Sequence, residues 1–596
     1  MRGDLEFMSI PRLVRTAAAR YGDREAVVEG RTRIGYEQLA ARIERAAAGC
    51  LAAGVQAGDR VAVWAPNTLD WIVSALGAVT AGAVLVPVNT RLKGTEAAQV
   101  LGRTRAKLLF VTGTFLGTSY VAALRRAAGG VRTADDRGRH RRRSRAETEE
   151  ERATPLPGLP HLEQVVVLAE DAPAGPGFRT WKEFVAAGDA VPAWAVRARA
   201  NAVSPDAPSD IIFTSGTTGE PKGVLVTHAQ TLRTFGAWCD LAGLRRGDRY
   251  LIVNPFSHTF GYKAGVLACL MRGAVMVPQA VFAVDTVLAG IAAERITVLP
   301  GPPTLHQALL DHPARSVCAL SSLRLVVTGA AAVDPGLVER LRAEAGIPTV
   351  LTAYGMSEAT GVVTMCRRHD PAEVVAGTAG RALPDTEVKV VGVGGKALPP
   401  GKAGEILVRG YQVMSGYFED PRATAEAIDA DGWLHTGDIG VLDGEGNLRI
   451  TGRVKDMFVS GGFNVYPAEV ERLLARHPGV AEAAVVGVPD RRLGEVGRAY
   501  VVRRAGGPVP SADELIAWAR REMAAYKVPR EVEFVPGLPR NASGKVVKGG
   551  LRPPGETKGL MADDDKARGD EARDEEARDD EAREGEAREG EADEDE

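Results

Sequence analysis

Cysteine is scarce in this 596-residue chain: Cys50, Cys239, Cys269, Cys318 and Cys366 stand far apart, with no CxxC pair among them. That spacing excludes a disulfide framework and a cysteine zinc site, and points to a reduced, cytoplasmic protein. Long apolar runs are also rare. The stretch Trp71 to Val88 has no charge and just reaches the length of a membrane span. It contains Ser74, Gly77, Thr80, Gly82 and Pro87, so it reads as a buried small-residue helix that turns at Gly82 into a strand, Ala83 to Val86. No membrane span is expected, and peripheral contact with a membrane is left open. The opening residues Met1 to Met8 carry charges and no apolar core, so no secretory signal is expected, and Met8 is an alternative start.

Glycine is abundant, at 68 residues, against a usual share of about 7%. Hydrophobic residues make up 45% and charged residues 25%, an ordinary globular composition, and the length suits two to four domains. The formal net charge of -3 conceals an asymmetry. Residues 561–596 hold 19 acidic and 6 basic side chains, a net of -13, which leaves +10 on the rest. This tail repeats Glu-Ala-Arg units without bulky apolar residues and has no face to bury, so 554–596 is expected to be disordered. An arginine-rich stretch, Arg139 to Arg143, is followed at once by Glu147, Glu149, Glu150 and Glu151. No aromatics interleave there, so residues 131–155 read as a disordered insertion and not as a nucleic-acid arm.

Elsewhere strand-like runs (Arg60 to Trp64, Lys107 to Val111, Leu323 to Val327) end in turns, and helical stretches such as Pro335 to Ala345 follow. Such alternation argues for α/β architecture with ligands at the carboxyl ends of strands. After Thr451 the units shorten: Tyr466 to His477 helical, Glu482 to Val488 strand-like, Ala512 to Met523 helical. The reading is a large domain over 1–451 and a small α+β domain over 452–553.

The strand-like Asp210 to Phe213 runs into Thr214-Ser215-Gly216-Thr217-Thr218-Gly219-Glu220-Pro221-Lys222-Gly223. Four hydroxyls, glycine-freed backbone N–H groups and one ammonium are what a polyphosphate requires. This is not a Walker A loop, since Lys222 does not follow a glycine and no Ser/Thr comes after it. The loop resembles the signature of the adenylate-forming superfamily of acyl-CoA synthetases, luciferases and nonribosomal adenylation domains. Four further stretches match in order: Tyr354 to Glu358, Thr436 to Asp438, Gly452 to Asp456 with Ser460 to Asn464, and Pro539 to Lys545. The resemblance spans roughly residues 10 to 552. It implies two α/β sheets plus a distorted β-barrel in the large domain, and a small, mobile α+β C-terminal domain.

The resemblance also implies a reaction: a carboxylic acid and ATP give an acyl-adenylate and pyrophosphate, and coenzyme A then takes the acyl group and releases AMP. Thr214 to Lys222 would cradle the phosphates, with Gly329, Ala330, Ala353, Tyr354, Gly355 and Ser357 beside the nucleotide. Glu358 would bind Mg²⁺, with Thr217, since a hard cation bridging phosphates suits one carboxylate plus water. Asp438 would accept from the ribose hydroxyls, Arg453 would contact ribose or phosphate, and Asn464 the adenylate. Lys545 would stabilise charge between the attacking carboxylate and the α-phosphate. Lys455 matches a hinge that brings Gly461, Gly462 and Phe463 to a pantetheine tunnel. His258 would gate the acyl pocket or polarise the carboxylate, unless it is a satisfied core histidine.

The acyl pocket is expected along His258 to Lys263, Gly301 to His306, Gly329 to Ala332 and Ala353 to Ser357. Tyr262 to Gly265, Leu299 to Thr304 and Thr364 to Arg367 are similar to a steroid-catabolism branch of the family, acting on a ring-derived bicyclic propanoate. Fatty or aryl acids are the alternatives. A ligase that loads a carrier protein and a non-catalytic adenylate-binding protein come next, although no carrier-serine or G-x-S-x-G thioesterase motif is present. The oligomeric state stays open, a homodimer included.

Overall fold

The computed structural model describes residues 2–128, 156–169, 175, 177–214, 221–316, 320–329, 333, 335–392, 394–460, 463–523, 525–540 and 546–551. The arginine-rich stretch and the acidic tail lie outside these residues. The chain divides into two compact units, Met1–Lys455 and Asp456–Glu596. The expected 451/452 boundary falls within the strand Leu448–Arg453.

In the first unit an eight-stranded sheet has the order Gly416–Tyr417, Lys222–Thr227, Pro208–Thr214, Val84–Pro87, Arg60–Trp64, Leu108–Val111, Gln164–Val167 and Phe178–Thr180. From Pro208–Thr214 to Phe178–Thr180 all neighbours are parallel. Every residue of Val84–Pro87 and of Leu108–Val111 is buried, as strands covered on both faces must be. A second sheet contains Thr32–Gly35, Glu25–Glu29, Val275–Pro278 and Arg249–Ile252, then Leu325–Gly329, Thr349–Tyr354, Thr364–Met365 and Arg381–Ala382. Val298 joins its two halves by parallel bridges to Tyr250 and Leu325. A four-stranded antiparallel sheet, Thr386–Val391, Gly404–Gly410, Leu434–Leu442 and Leu448–Arg453, follows. It is open, and no closed barrel occurs among the described residues.

The uncharged run resolves as the helix Leu69–Thr80, a turn at Gly82 (φ 85°) and the strand Val84–Pro87. Thr68 caps the helix by accepting from the Trp71 backbone N–H at 3.2 Å. Nearly all of this helix is buried, which removes any need for a polar face. The Trp71 ring packs against Phe256 and Tyr262, with centroids 4.9 and 5.5 Å away. Gly77 lets it press on the helix Tyr36–Ala52, where a Cβ would stand 2.5 Å from the Ala46 Cβ. Among the described residues no helix is long and apolar enough to cross a membrane.

In the second unit four strands lie in the order Phe463–Val465, Phe458–Ser460, Gly494–Arg503, Val480–Asp490, and Glu531–Phe534 adds in parallel to Gly494–Arg503. The helices Pro467–Leu474 and Ala512–Glu522 bury Val470, Leu474, Leu515 and Ala519 against Val485, Ala499 and Val501. Ser511 and Glu514 close a reciprocal capping box on the second helix.

Because backbone and a neighbouring Cβ leave no room at Gly77, Gly77→Val should destabilise the first unit by about 1–3 kcal/mol. Thermal denaturation checks this; an unchanged midpoint would contradict the close helix contact.

Candidate active site

The strands Pro208–Thr214 and Lys222–Thr227 form a hairpin whose last registered pair is Thr214 opposite Lys222. The phosphate-loop candidates Ser215, Gly216, Thr217, Thr218 and Gly219 fall between these anchors and lie outside the described residues. Both anchors face one carboxylate system. Thr214 donates its hydroxyl to Glu358 Oε1 at 3.4 Å, and Tyr417 donates its hydroxyl to the same oxygen at 3.0 Å. The Lys222 ammonium lies 4.9 Å from the Tyr417 ring centroid. Burial and the adjacent Glu358 carboxylate push the Tyr417 phenol well above its ordinary range, so it stays a proton donor.

Glu358 is held in the single turn Ser357–Ala359, just beyond the strand Thr349–Tyr354, and is 8% exposed. Gly355 is required there, because a Cβ would lie 2.2 Å from the Gly361 carbonyl oxygen. Gly329 and Ala353 are register partners at the ends of adjacent parallel strands. A Cβ on Gly329 would meet the Ala353 oxygen at 2.5 Å, so glycine allows this close approach. Ala330 lies outside the described residues.

On the antiparallel sheet, Asp438 stands opposite Arg453 in register. Arg453 Nε is 2.9 Å from Asp438 Oδ1, and Tyr354 donates its hydroxyl to Asp438 Oδ2 at 2.7 Å. Thr436 fixes the backbone, accepting from the Asp438 N–H at 3.1 Å and donating to the Ile406 carbonyl at 2.7 Å. A carboxylate offers about four lone-pair sites, so Asp438 keeps acceptor capacity for a diol. Burial and the Asp438 charge hold the Tyr354 phenol protonated. One short segment thus serves two acidic centres: Tyr354 binds Asp438, and Glu358, four residues on, is the second carboxylate.

His258 precedes the helical turn Thr259–Gly261, and its Nε2 lies 3.0 Å from the Asn89 side-chain nitrogen. Since that amide nitrogen can only donate, the imidazole accepts. Burial pulls its pKa down to about 4, with the Arg91 charge acting in the same direction. It is a neutral acceptor at physiological pH, not a proton donor.

In the second unit Phe463 and Asn464 belong to a strand paired with Ser460 and Val459. The connecting residues Gly461 and Gly462 lie outside the described residues, as does Lys545. Lys455 sits in the turn Val454–Asp456, where the first unit ends. Two contributors escaped the sequence reading, Tyr417 and the backbone role of Thr436. Tyr417 is 59 positions from Glu358, and only the pairing of Gly416–Tyr417 with Val224 and Leu225 brings it there.

The profile of the AMP-binding enzyme family matches residues 14–418, and that of the AMP-binding enzyme C-terminal domain matches 469–545. The chain belongs to the AMP-binding enzyme family. It is 49% identical to a 3-[(3aS,4S,7aS)-7a-methyl-1,5-dioxo-octahydro-1H-inden-4-yl]propanoyl:CoA ligase of Rhodococcus jostii, over 91% of this chain and 98% of the relative. It is 48% identical to the Mycobacterium tuberculosis protein of the same name, over 92% and 99%. The crystal structure of an anthranilate CoA ligase with anthranoyl-AMP superposes with a TM-score of 0.76 at 25% identity, covering 92% of this chain and 97% of that one.

Thr214 itself meets Glu358, and the carboxylate of Asp438, tethered by Tyr354, suits a sugar diol. The Tyr354–Asp438 hydrogen bond involves a charge, a class worth about 1.5–3 kcal/mol. Tyr354→Phe should therefore raise the KM for ATP on the order of tenfold with the fold retained; an unchanged KM would contradict the tether.

His258 makes a pH prediction. Its folded pKa of about 4 lies below the ordinary value of about 6.5. Between these values the unfolded chain binds more protons, so this group's share of stability is lost as pH falls through that window. Melts of the parent and His258→Gln from pH 7 to 4 should show a smaller loss in the variant. Identical pH dependence would contradict the neutral imidazole.

Proposed function

We propose that this chain joins a carboxylic acid to coenzyme A through an acyl-adenylate, and that the acid is a bicyclic propanoate derived from steroid rings. The observation that carries the reading is the segment Tyr354–Glu358, which ties Asp438 through Tyr354 and meets the phosphate-loop anchor through Glu358. A carboxylate oxygen attacks the α-phosphorus of ATP and pyrophosphate leaves. The CoA thiolate then attacks the acyl carbon and AMP leaves. Neither step asks for a side-chain nucleophile; both ask for donors and cations that hold anions together.

Thr214, Lys222 and the hydroxyl-rich loop between them bind the phosphates. Asp438 and Arg453 orient the ribose, and Asn464 contacts the adenylate. Lys545 supplies positive charge between the carboxylate and the α-phosphate, and Lys455 is the hinge that exchanges it for Gly461, Gly462 and Phe463 in the thioester step. The donor set fits Mg²⁺: both hydroxyls meet Glu358 Oε1, Oε2 accepts from neither, and this cation takes one or two carboxylates plus phosphates and water. Glu358 and Thr217 would hold it, and when bound it neutralises phosphate charge. The similarity to the two propanoate ligases supports the acid.

Thioester formation measured with the bicyclic propanoate, octanoate, palmitate and coumarate should show strong preference for the bicyclic acid. Preference for a linear or aryl acid would overturn that substrate, and pyrophosphate without thioester would point to a carrier-protein acceptor. Lys545→Ala should lower adenylation on the order of a hundredfold and spare thioester formation from supplied acyl-adenylate. Equal loss of both steps would contradict its role.

A further inference from the structure

The motif Tyr262-Lys263-Ala264-Gly265 contains a lysine that the reaction above does not use. Lys263 is wholly buried, with its ammonium 2.9 Å from Asp210 Oδ1, itself without exposure. The two charges come from different layers. Asp210 belongs to Pro208–Thr214 in the eight-stranded sheet. Lys263 belongs to a π-helical segment, Tyr262–Leu267, that continues from the turn after His258. The pair is finished with hydroxyls: Ser209 donates to Asp210 Oδ2 at 2.7 Å, and Lys263 donates to Thr231 Oγ1 at 3.1 Å. Next to it His228 accepts from the Ile10 N–H through Nδ1 at 3.3 Å, which keeps that imidazole neutral and adds no second positive charge.

Stability alone is a poor reason for such a pair. Removing two charges from water is costly, and exchanging a buried ion pair for apolar side chains of similar size is often neutral or stabilising. What the pair offers is direction. An apolar contact between helix and strand tolerates sliding, whereas an ammonium held by a carboxylate and a hydroxyl has one position. Its two ends lead toward the candidate site. Four residues along the strand from Asp210, roughly 13 Å at about 3.3 Å per residue, stands Thr214, the anchor of the phosphate loop. Before Lys263, in the same run of helical turns, stands His258 of the acyl pocket. A π-turn adds a residue to the helix and so re-aims the side chains on either side of it, and such turns are frequent at functional sites. Gly261 fixes the start of this helix on the backbone beneath, where a Cβ would stand 2.1 Å from the Pro255 oxygen.

We propose that the Lys263–Asp210 pair is a positioning element for adenylation, holding the acyl-pocket helix in register with the phosphate-loop strand so that carboxylate and α-phosphate meet in reacting geometry. The inference rests on the adenylation reading above. Small errors in such geometry cost rate far more than binding, which separates this role from a structural one.

The test compares wild type with the apolar double variant Asp210→Leu/Lys263→Met and the amide double variant Asp210→Asn/Lys263→Gln. Pyrophosphate release, thermal midpoint and thioester formation from supplied acyl-adenylate are measured for each. Expected are midpoints near the parent's, a kcat for adenylation at least tenfold lower in the apolar variant, a KM for ATP within threefold, and unchanged thioester formation. The amide pair, which keeps a directional hydrogen bond, should recover part of the rate. Parental kcat in the apolar variant would overturn the pair's role, and so would loss of fold in both variants, which would assign the pair to stability. Wild-type protein inert toward every acid would instead overturn the adenylation reading itself.

Discussion

A half-buried phenol on a carboxylate organises this site: the Tyr354 hydroxyl on Asp438 Oδ2, at 2.7 Å. Tyr354 ends a parallel strand of one sheet, and Asp438 lies in the antiparallel sheet. Their bond therefore fixes the Asp438 carboxylate relative to the α/β core. Four residues further on, Glu358 meets the strand that enters the phosphate loop. One short segment, tight enough to need glycine at position 355, sets the distance between the Asp438 and Glu358 carboxylates.

The layers behind the segment supply rigidity. Strands buried on both faces and the helix Leu69–Thr80, apolar nearly all round, leave little freedom beneath the loops. The charges admitted to this interior are specific ones. Asp210 and Lys263 neutralise each other, and burial keeps His228, His258 and the phenols Tyr354 and Tyr417 in their neutral forms.

Much of this was legible in the amino-acid order. Arg60–Trp64 was visible as an apolar run, and the turn at Gly82 as a glycine between a small-residue helix and a strand, because local patterning alone determines them. The Tyr354 segment and Asp438 were picked out through the family resemblance, because each is a compact string that can be matched on its own. Tyr417 was not, since its role arises from an edge strand pairing across long sequence separation. The joining of the second sheet through Val298 depends on two isolated bridges, which leave no periodic trace. Lys263, in a Tyr-Lys-Ala-Gly run, has nothing local to mark it as buried; only Asp210, fifty-odd positions earlier, explains it. The expected barrel is represented by an open antiparallel sheet, and closure is a property of long-range pairing that strand patterns do not encode.

The central claim is that this site brings a carboxylate against the α-phosphorus of ATP. The direct test is to supply acid labelled with ¹⁸O in its carboxylate, with ATP and CoA, and follow the label by mass spectrometry. Attack on the α-phosphorus predicts one ¹⁸O in each AMP released and none in pyrophosphate. Label in orthophosphate or pyrophosphate, or AMP without label beside a formed thioester, would contradict it.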